Sequence, residues 1–129
     1  MNTQSKRRAL VLFAHGARDP RWAVPFERLQ QITQLAQPEV TVCNAYLEFL
    51  PPDLPTAVAE LAKDGCNDIT IVPVFLGQGG HVLKDLPMLI EQLQKAYPGL
   101  NLTKVDAVGE DASVLEAIAQ YCLRAIPLA

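Results

Sequence analysis

Short unbroken apolar runs alternate along this chain with longer stretches in which apolar residues recur at helical spacing. Ala9-Leu-Val-Leu-Phe-Ala14 is apolar throughout, the pattern of a strand covered on both faces. Val40-Thr-Val-Cys-Asn-Ala-Tyr46 and the segment 69–75 read as a second and a third strand. Leu100 to Val105 reads as a fourth, more polar and therefore at an edge. Pro73 predicts a bulge or an early end to pairing in the third strand, because a central strand cannot spare an amide donor.

Four helices are expected between and after these strands. Asp19-Pro20 is a good cap and first-position pair. Pro25 moves the start of the first helix nearer Trp22, with Pro25 in its first turn. Phe26, Leu29, Ile32 and Leu35/Ala36 are read as its apolar face, and Pro38 ends it. Asp53 caps a second helix over 54–64 that buries Leu54, Ala57/Val58 and Leu61, with Gly65 as its stop. Asp85 is read as the cap of a third, with Leu86, Leu89/Ile90, Leu93 and Ala96/Tyr97 inward and Pro98-Gly99 beyond it. Asp111 starts the last, whose apolar positions are Leu115, Ile118, Cys122 and Leu123/Ile126.

Strand–helix alternation with right-handed crossovers predicts an α/β fold. The expected architecture is a three-layer sandwich: one four-stranded parallel sheet, order 2-1-3-4, flanked by helices in a flavodoxin-like single lobe. At 129 residues, residues 1–129 are expected to form one domain, with 1–7 as a flexible tail.

Composition narrows the classes of function. Half the residues are hydrophobic and 19% are charged, enough for a core and ordinary for a globular protein. The net charge is −3, and the one basic cluster, Lys6-Arg7-Arg8, has no accompanying stripe, so no nucleic-acid partner is expected. Cys43, Cys66 and Cys122 are odd in number and lack C-x-x-C spacing, which argues against a zinc or redox motif. No apolar segment near the N-terminus is long enough for a signal-peptide core or a membrane span. A reducing, cytoplasmic setting is expected.

The only two histidines, His15 and His81, stand where chemistry is expected. In an open parallel sheet, ligands bind outside the carboxyl ends of the strands, where the strand order reverses. His15 follows strand 1, Glu48 follows strand 2, and His81 follows strand 3 after Gly77-Gln-Gly-Gly80. Two imidazoles and one carboxylate suit a divalent first-row metal such as cobalt, nickel, iron or zinc, with a position left open for substrate. Read singly, each of the three has a blander role as a hydrogen-bonded or solvated residue. Gly77-Gln-Gly-Gly80 offers either a nest of backbone amides or a tight turn, and it matches no nucleotide-binding motif. Arg18, Arg21 and Lys84 in the same loops are candidates to pair with carboxylates on an acidic ligand. A phosphohistidine phosphatase would need an arginine directly before His15, and Ala14 stands there.

Ala14-His-Gly-Ala-Arg-Asp-Pro20 resembles the H-G-S-R-D-P opening of the class II tetrapyrrole chelatases of the CbiX and SirB kind. The segment 72–87 resembles their P-x-F-L-x-x-G-x-H-x-x-x-D-x-P segment, and Tyr46-Leu-Glu-Phe-Leu50 resembles their A-x-L-E segment. The three motifs occur in order over nearly the whole chain. The resemblance implies a chelatase-like lobe that inserts a divalent metal, Co²⁺ with Fe²⁺ or Ni²⁺ as alternatives, into sirohydrochlorin on the way to cobalamin or sirohaem. It implies that His15, His81 and Glu48 handle the metal and the pyrrole protons. Arg18, Gly79, Gly80 and Lys84 are the candidates for contacting the tetrapyrrole. The metal is then substrate, and no permanently bound cofactor is expected. Ala17 departs from the usual serine and removes a hydroxyl from the first loop. The chain is half the length of the two-lobed members, and the short members work as homodimers, so a two-fold homodimer is implied. A non-catalytic relative that binds metal or tetrapyrrole is the alternative.

Overall fold

The computed structural model describes residues 7–77 and 80–128. Four strands, β1 (Arg8–Ala14), β2 (Thr41–Tyr46), β3 (Asp68–Pro73) and β4 (Asn101–Lys104), form one parallel sheet in the order β2-β1-β3-β4. The helices are α1 (Val24–Ala36), α2 (Leu54–Lys63), α3 (Gly80–Ala96) and α4 (Ala112–Arg124), with short 3₁₀ turns at Pro20–Ala23 and Val108–Glu110. This is the sheet order read from the sequence.

Strand alternation divides the sheet between two layers. Ala9, Val11, Phe13, Ala45, Ile69 and Ile71 form the main core with residues of α2 and α3. On the second face α1 lies over β2 and β1. The Phe26 ring meets Tyr46 edge-on at 6.3 Å, and the Asn44 amide donates to the Phe26 carbonyl.

Two glutamines finish the sheet edges. Gln34 of α1 accepts from the Val42 amide at 2.9 Å and donates to the Val40 carbonyl at 2.7 Å. Gln94 of α3 repeats the arrangement on β4, donating to the Leu100 carbonyl and accepting from the Leu102 amide. Each side chain stands where another strand would pair, so both edges are blunted at their amino halves.

Several details differ from the sequence reading. Pairing of β3 does end early, but on one side only. β1 stays in register through Phe13–Pro73, and the Val74 amide donates to the Phe13 carbonyl. Alternation then aims the Pro73 nitrogen at β4, whose ladder has already ended at Ile71–Lys104. Residues 1–6 of the expected tail lie outside the described residues, and residue 7 is not flexible chain. Arg7 is anchored, its amide donating to Asn67 Oδ1 and its guanidinium to the Asp64 carbonyl at 2.6 Å.

The apolar series expected for α1 does not stay on its sheet side. Ile32 and Leu35 are 63% and 82% exposed, while Gln30, Thr33 and Gln34 are half-buried on the sheet side. The cause is geometric: a three-residue step turns only about 300°, so the series 26, 29, 32, 35 drifts half way round the helix. Helix α3 starts at Gly80, not at Asp85. His81 therefore lies on its first turn rather than in a loop, and Pro87 lies inside the helix. Helix α4 forms where expected and is capped by Asp111, but it buries none of its residues.

Candidate functional site

The site is built where β1 and β2 run out. Pairing continues one step past the end of β2: the Leu47 amide donates to the Ala14 carbonyl at 2.9 Å, and the Glu48 amide to the His15 carbonyl at 3.1 Å. The two side chains leave this short extension next to each other. His15 Nε2 lies 3.1 Å from Glu48 Oε1. A carboxylate can only accept, so Nε2 carries a proton, and in the neutral ring Nδ1 keeps its lone pair. Both side chains are open to solvent, at 58% and 48% exposed.

Gly16 makes this juxtaposition possible. Its φ is +93°, and a Cβ there would lie 1.9 Å from the Glu48 carbonyl oxygen. Only glycine lets the two loops approach this closely. Phe49, the residue after Glu48, also has positive φ, at 70°. Its ring carries the Arg18 guanidinium at 4.6 Å from the centroid, a cation–π contact. An open cleft of about 800 Å³ lies against Glu48 and Phe49, with Tyr46, Pro52 and Asp53 in its walls. Another, of about 640 Å³, lies at the opposite end of the sheet beside Arg7 and Tyr97, and no histidine or acid lines it.

The structure thus unites His15 and Glu48 and places Arg18 beside them on Phe49. Arg21, an equal candidate for an acidic ligand in the sequence, is already engaged. Its guanidinium donates to Asp19 at 2.6 Å and holds that carboxyl below its usual value. His81 and Lys84 belong to the first turns of α3, and their side chains lie outside the described residues, as does Gly79. Among the described residues, no three of His, Cys, Asp and Glu are gathered closely enough to hold a metal ion. Phe49 was not singled out in the sequence, although it directly follows Glu48.

The profile of the CbiX family matches residues 9–125. The chain belongs to the CbiX family. Two proteins named sirohydrochlorin cobaltochelatase, from Methanopyrus kandleri and Methanocaldococcus jannaschii, are 32% and 34% identical to it over 82 residues. Each match covers 64% of this chain and only 57% of the relative. A crystal structure described as a cobalamin (vitamin B12) biosynthesis CbiX protein, from Marinobacter aquaeolei VT8, superposes with a TM-score of 0.81 at 31% identity. It covers 91% of this CbiX chain and 95% of the neighbour. The sirohydrochlorin chelatase SirB of Bacillus subtilis subspecies spizizenii, solved in complex with cobalt, has the same fold, with a TM-score of 0.74 at 22% identity. The superposition covers 92% of this chain and 51% of SirB. Among the described residues no helix is long and apolar enough to cross a membrane.

Proposed function

We propose that this chain is a sirohydrochlorin chelatase that inserts a divalent metal, Co²⁺ with Fe²⁺ or Ni²⁺ as alternatives, into the tetrapyrrole, for cobalamin or sirohaem synthesis. The observation that carries the reading is the His15–Glu48 pair, 3.1 Å apart at the carboxyl end of the sheet, in a chain related to proteins of that name. Insertion exchanges one metal dication for two pyrrole N–H protons, so the site needs proton acceptors and only loose, temporary metal donors. Glu48, by taking the Nε2 proton as a hydrogen bond, orients the imidazole and leaves Nδ1 to accept a proton or touch the incoming metal. His81, on the first turn of α3, is the second imidazole in this reading.

Carboxylates on the macrocycle rim are assigned to Arg18 and Lys84, and the amides of Gly79 and Gly80 to its approach. Stacking on Phe49 fixes the plane of the Arg18 guanidinium while its N–H edge stays free to pair with a carboxylate. The protein is read as a cytoplasmic, two-fold homodimer.

The deciding experiment mixes purified protein with sirohydrochlorin and Co²⁺ and follows the absorbance change on insertion. Wild type accelerates insertion over the spontaneous rate. His15→Ala and His81→Ala each lower that acceleration by on the order of 100-fold or more, with circular dichroism unchanged. No acceleration by wild type would leave a binding protein in place of an enzyme.

A further inference from the structure

Phe49 stands at a position that packing does not explain. Its ring is 53% exposed and takes no part in the core. Its backbone is unfavourable as well. The Leu50 amide donates to the Glu48 carbonyl at 2.9 Å, across a central residue with a φ of 70°. This is the γ-turn of positive φ, which is rare and strained. Glycine or asparagine meets such a conformation at lower cost than phenylalanine. The turn is also pinned from outside, because the Glu48 carbonyl that closes it is the one that abuts Gly16. Strain retained beside a site points to a use for the residue that bears it.

The charges of the two loops show what that use is. Residues 15–19 and 47–53 hold three carboxylates, Asp19, Glu48 and Asp53. Asp19 is taken by Arg21 at 2.6 Å, and Asp53 accepts from the Thr56 amide at the start of α2. Glu48 is engaged through Oε1, by His15, and among the described residues its second oxygen has no partner. Arg18 is the matching cation. Among the described residues it makes no ion pair, and its guanidinium rests on Phe49, 4.6 Å from the ring centroid. Arg18 and Glu48 thus flank the same aromatic residue, one on its face and one next to it in the chain, without pairing. An exposed cation–π contact and an exposed ion pair are of similar, small strength. The presence of the ring therefore decides which of the two the guanidinium makes.

An Arg18–Glu48 pair would disable both partners. It would occupy the arginine assigned to the macrocycle rim and draw the carboxylate away from Nε2 of His15. We infer that Phe49 is a positioning residue, whose ring holds the Arg18 guanidinium off Glu48 and so keeps the cation for a substrate carboxylate and the anion for His15. The identity of that substrate carboxylate rests on the chelatase reading, whereas the placement of Arg18 can be measured without substrate or metal.

The test compares Phe49→Leu, which removes the aromatic face, with Phe49→Tyr, which keeps it; circular dichroism checks that both are folded. With sirohydrochlorin and Co²⁺, Phe49→Leu is expected to lower kcat on the order of 10-fold, as loss of a group that orients a histidine does, and to raise KM for the tetrapyrrole. Phe49→Tyr retains most of the wild-type rate. Adding Arg18→Gln to Phe49→Leu then restores most of kcat while KM stays high, because the competitor for Glu48 has gone. A kcat that never falls, or that falls and is not restored by Arg18→Gln, overturns the proposal; mere loosening of the turn would give the second result. A further measurement needs no turnover. The Arg18 Nε–Hε resonance, followed by nuclear magnetic resonance, moves in Phe49→Leu to the position of a carboxylate-paired guanidinium, and in Phe49→Leu/Glu48→Gln to that of a solvated one. The same resonance in both variants overturns the proposal. If wild type fails to accelerate insertion, the chelatase reading falls, and the resonance alone decides whether Phe49 holds Arg18 away from Glu48.

Discussion

At Gly16 one hydrogen atom in place of a side chain decides whether the site exists. The positive φ alone would cost an alanine about 1–2 kcal/mol, and its Cβ would collide with the Glu48 carbonyl at 1.9 Å. Gly16→Ala is therefore expected to push the 47–49 segment away from His15. It should lower both the urea midpoint and the insertion rate, and an active variant of unchanged stability would show that the close approach is dispensable. Glu48→Gln makes the complementary change, keeping an acceptor near Nε2 but removing the charge. A fall in rate on the order of 10-fold is expected, smaller than for His15→Ala, as for other groups that orient a histidine; an equal fall would make Glu48 a full partner in the proton transfer. The closeness of His15 and Glu48 was legible in the sequence because strand order alone brings those two positions together. Nothing in the sequence showed that Arg21 would be consumed by Asp19 while Arg18 stacked on Phe49, since that choice depends on loop geometry that no periodicity encodes.

At the scale of elements, strands and caps were more legible than helix faces. Strand runs were short, apolar and bounded by turn residues, and three of the four acidic caps stand at helix or turn starts. In the sequence Asp85-Leu-Pro87 looks like a cap followed by a first-turn proline, whereas the third helix begins at Gly80 and carries Pro87 inside it. The face of α1 was lost because its sheet side is polar by composition. Gln30 and Gln34 serve β2 through hydrogen bonds, so hydrophobicity points away from the contact that matters. These clips are open to test on β4. Gln94 donates to the Leu100 carbonyl at 2.6 Å and accepts from the Leu102 amide at 3.2 Å. At about 0.5–1.5 kcal/mol per net hydrogen bond, Gln94→Ala is expected to cost about 1–3 kcal/mol. The urea midpoint should fall with the slope unchanged, and the bared edge should make the variant more prone to aggregate. A midpoint equal to wild type would mean that water replaces the amide at no loss.

Across the whole molecule, the edge that carries the candidate site also carries three carboxyls expected to make the stability acid-sensitive. In a parallel sheet, helices start at the carboxyl ends of strands, so their caps line the same rim as the ligand crevice. Asp19 follows β1, Asp53 follows β2 and Asp111 follows β4. Each is held below the usual carboxylate value: Asp19 by the Arg21 side chain and then its amide, Asp53 by Thr56 through hydroxyl and amide, and Asp111 by the Ser113 hydroxyl and then the Val114 and Ser113 amides. A carboxyl whose folded value is depressed contributes its full stability above its unfolded value, 3.8. That contribution is lost as the pH falls through the folded value, because the folded state must then take up protons that the unfolded state already holds. The contribution of these three caps should accordingly be constant from neutral pH down to about pH 5 and decline below it. Asp53→Asn isolates one of the three terms, since asparagine caps a helix about as well as aspartate but does not titrate. At pH 7 its unfolding free energy should stay within a few tenths of a kcal/mol of wild type. Between pH 5 and pH 3 it should lose less stability than wild type, measured by urea unfolding at each pH. Parallel curves for the two proteins would assign the acid sensitivity to groups other than this cap, and a loss already present at pH 7 would show that the Asp53 charge, rather than its acceptor oxygen, holds the start of α2.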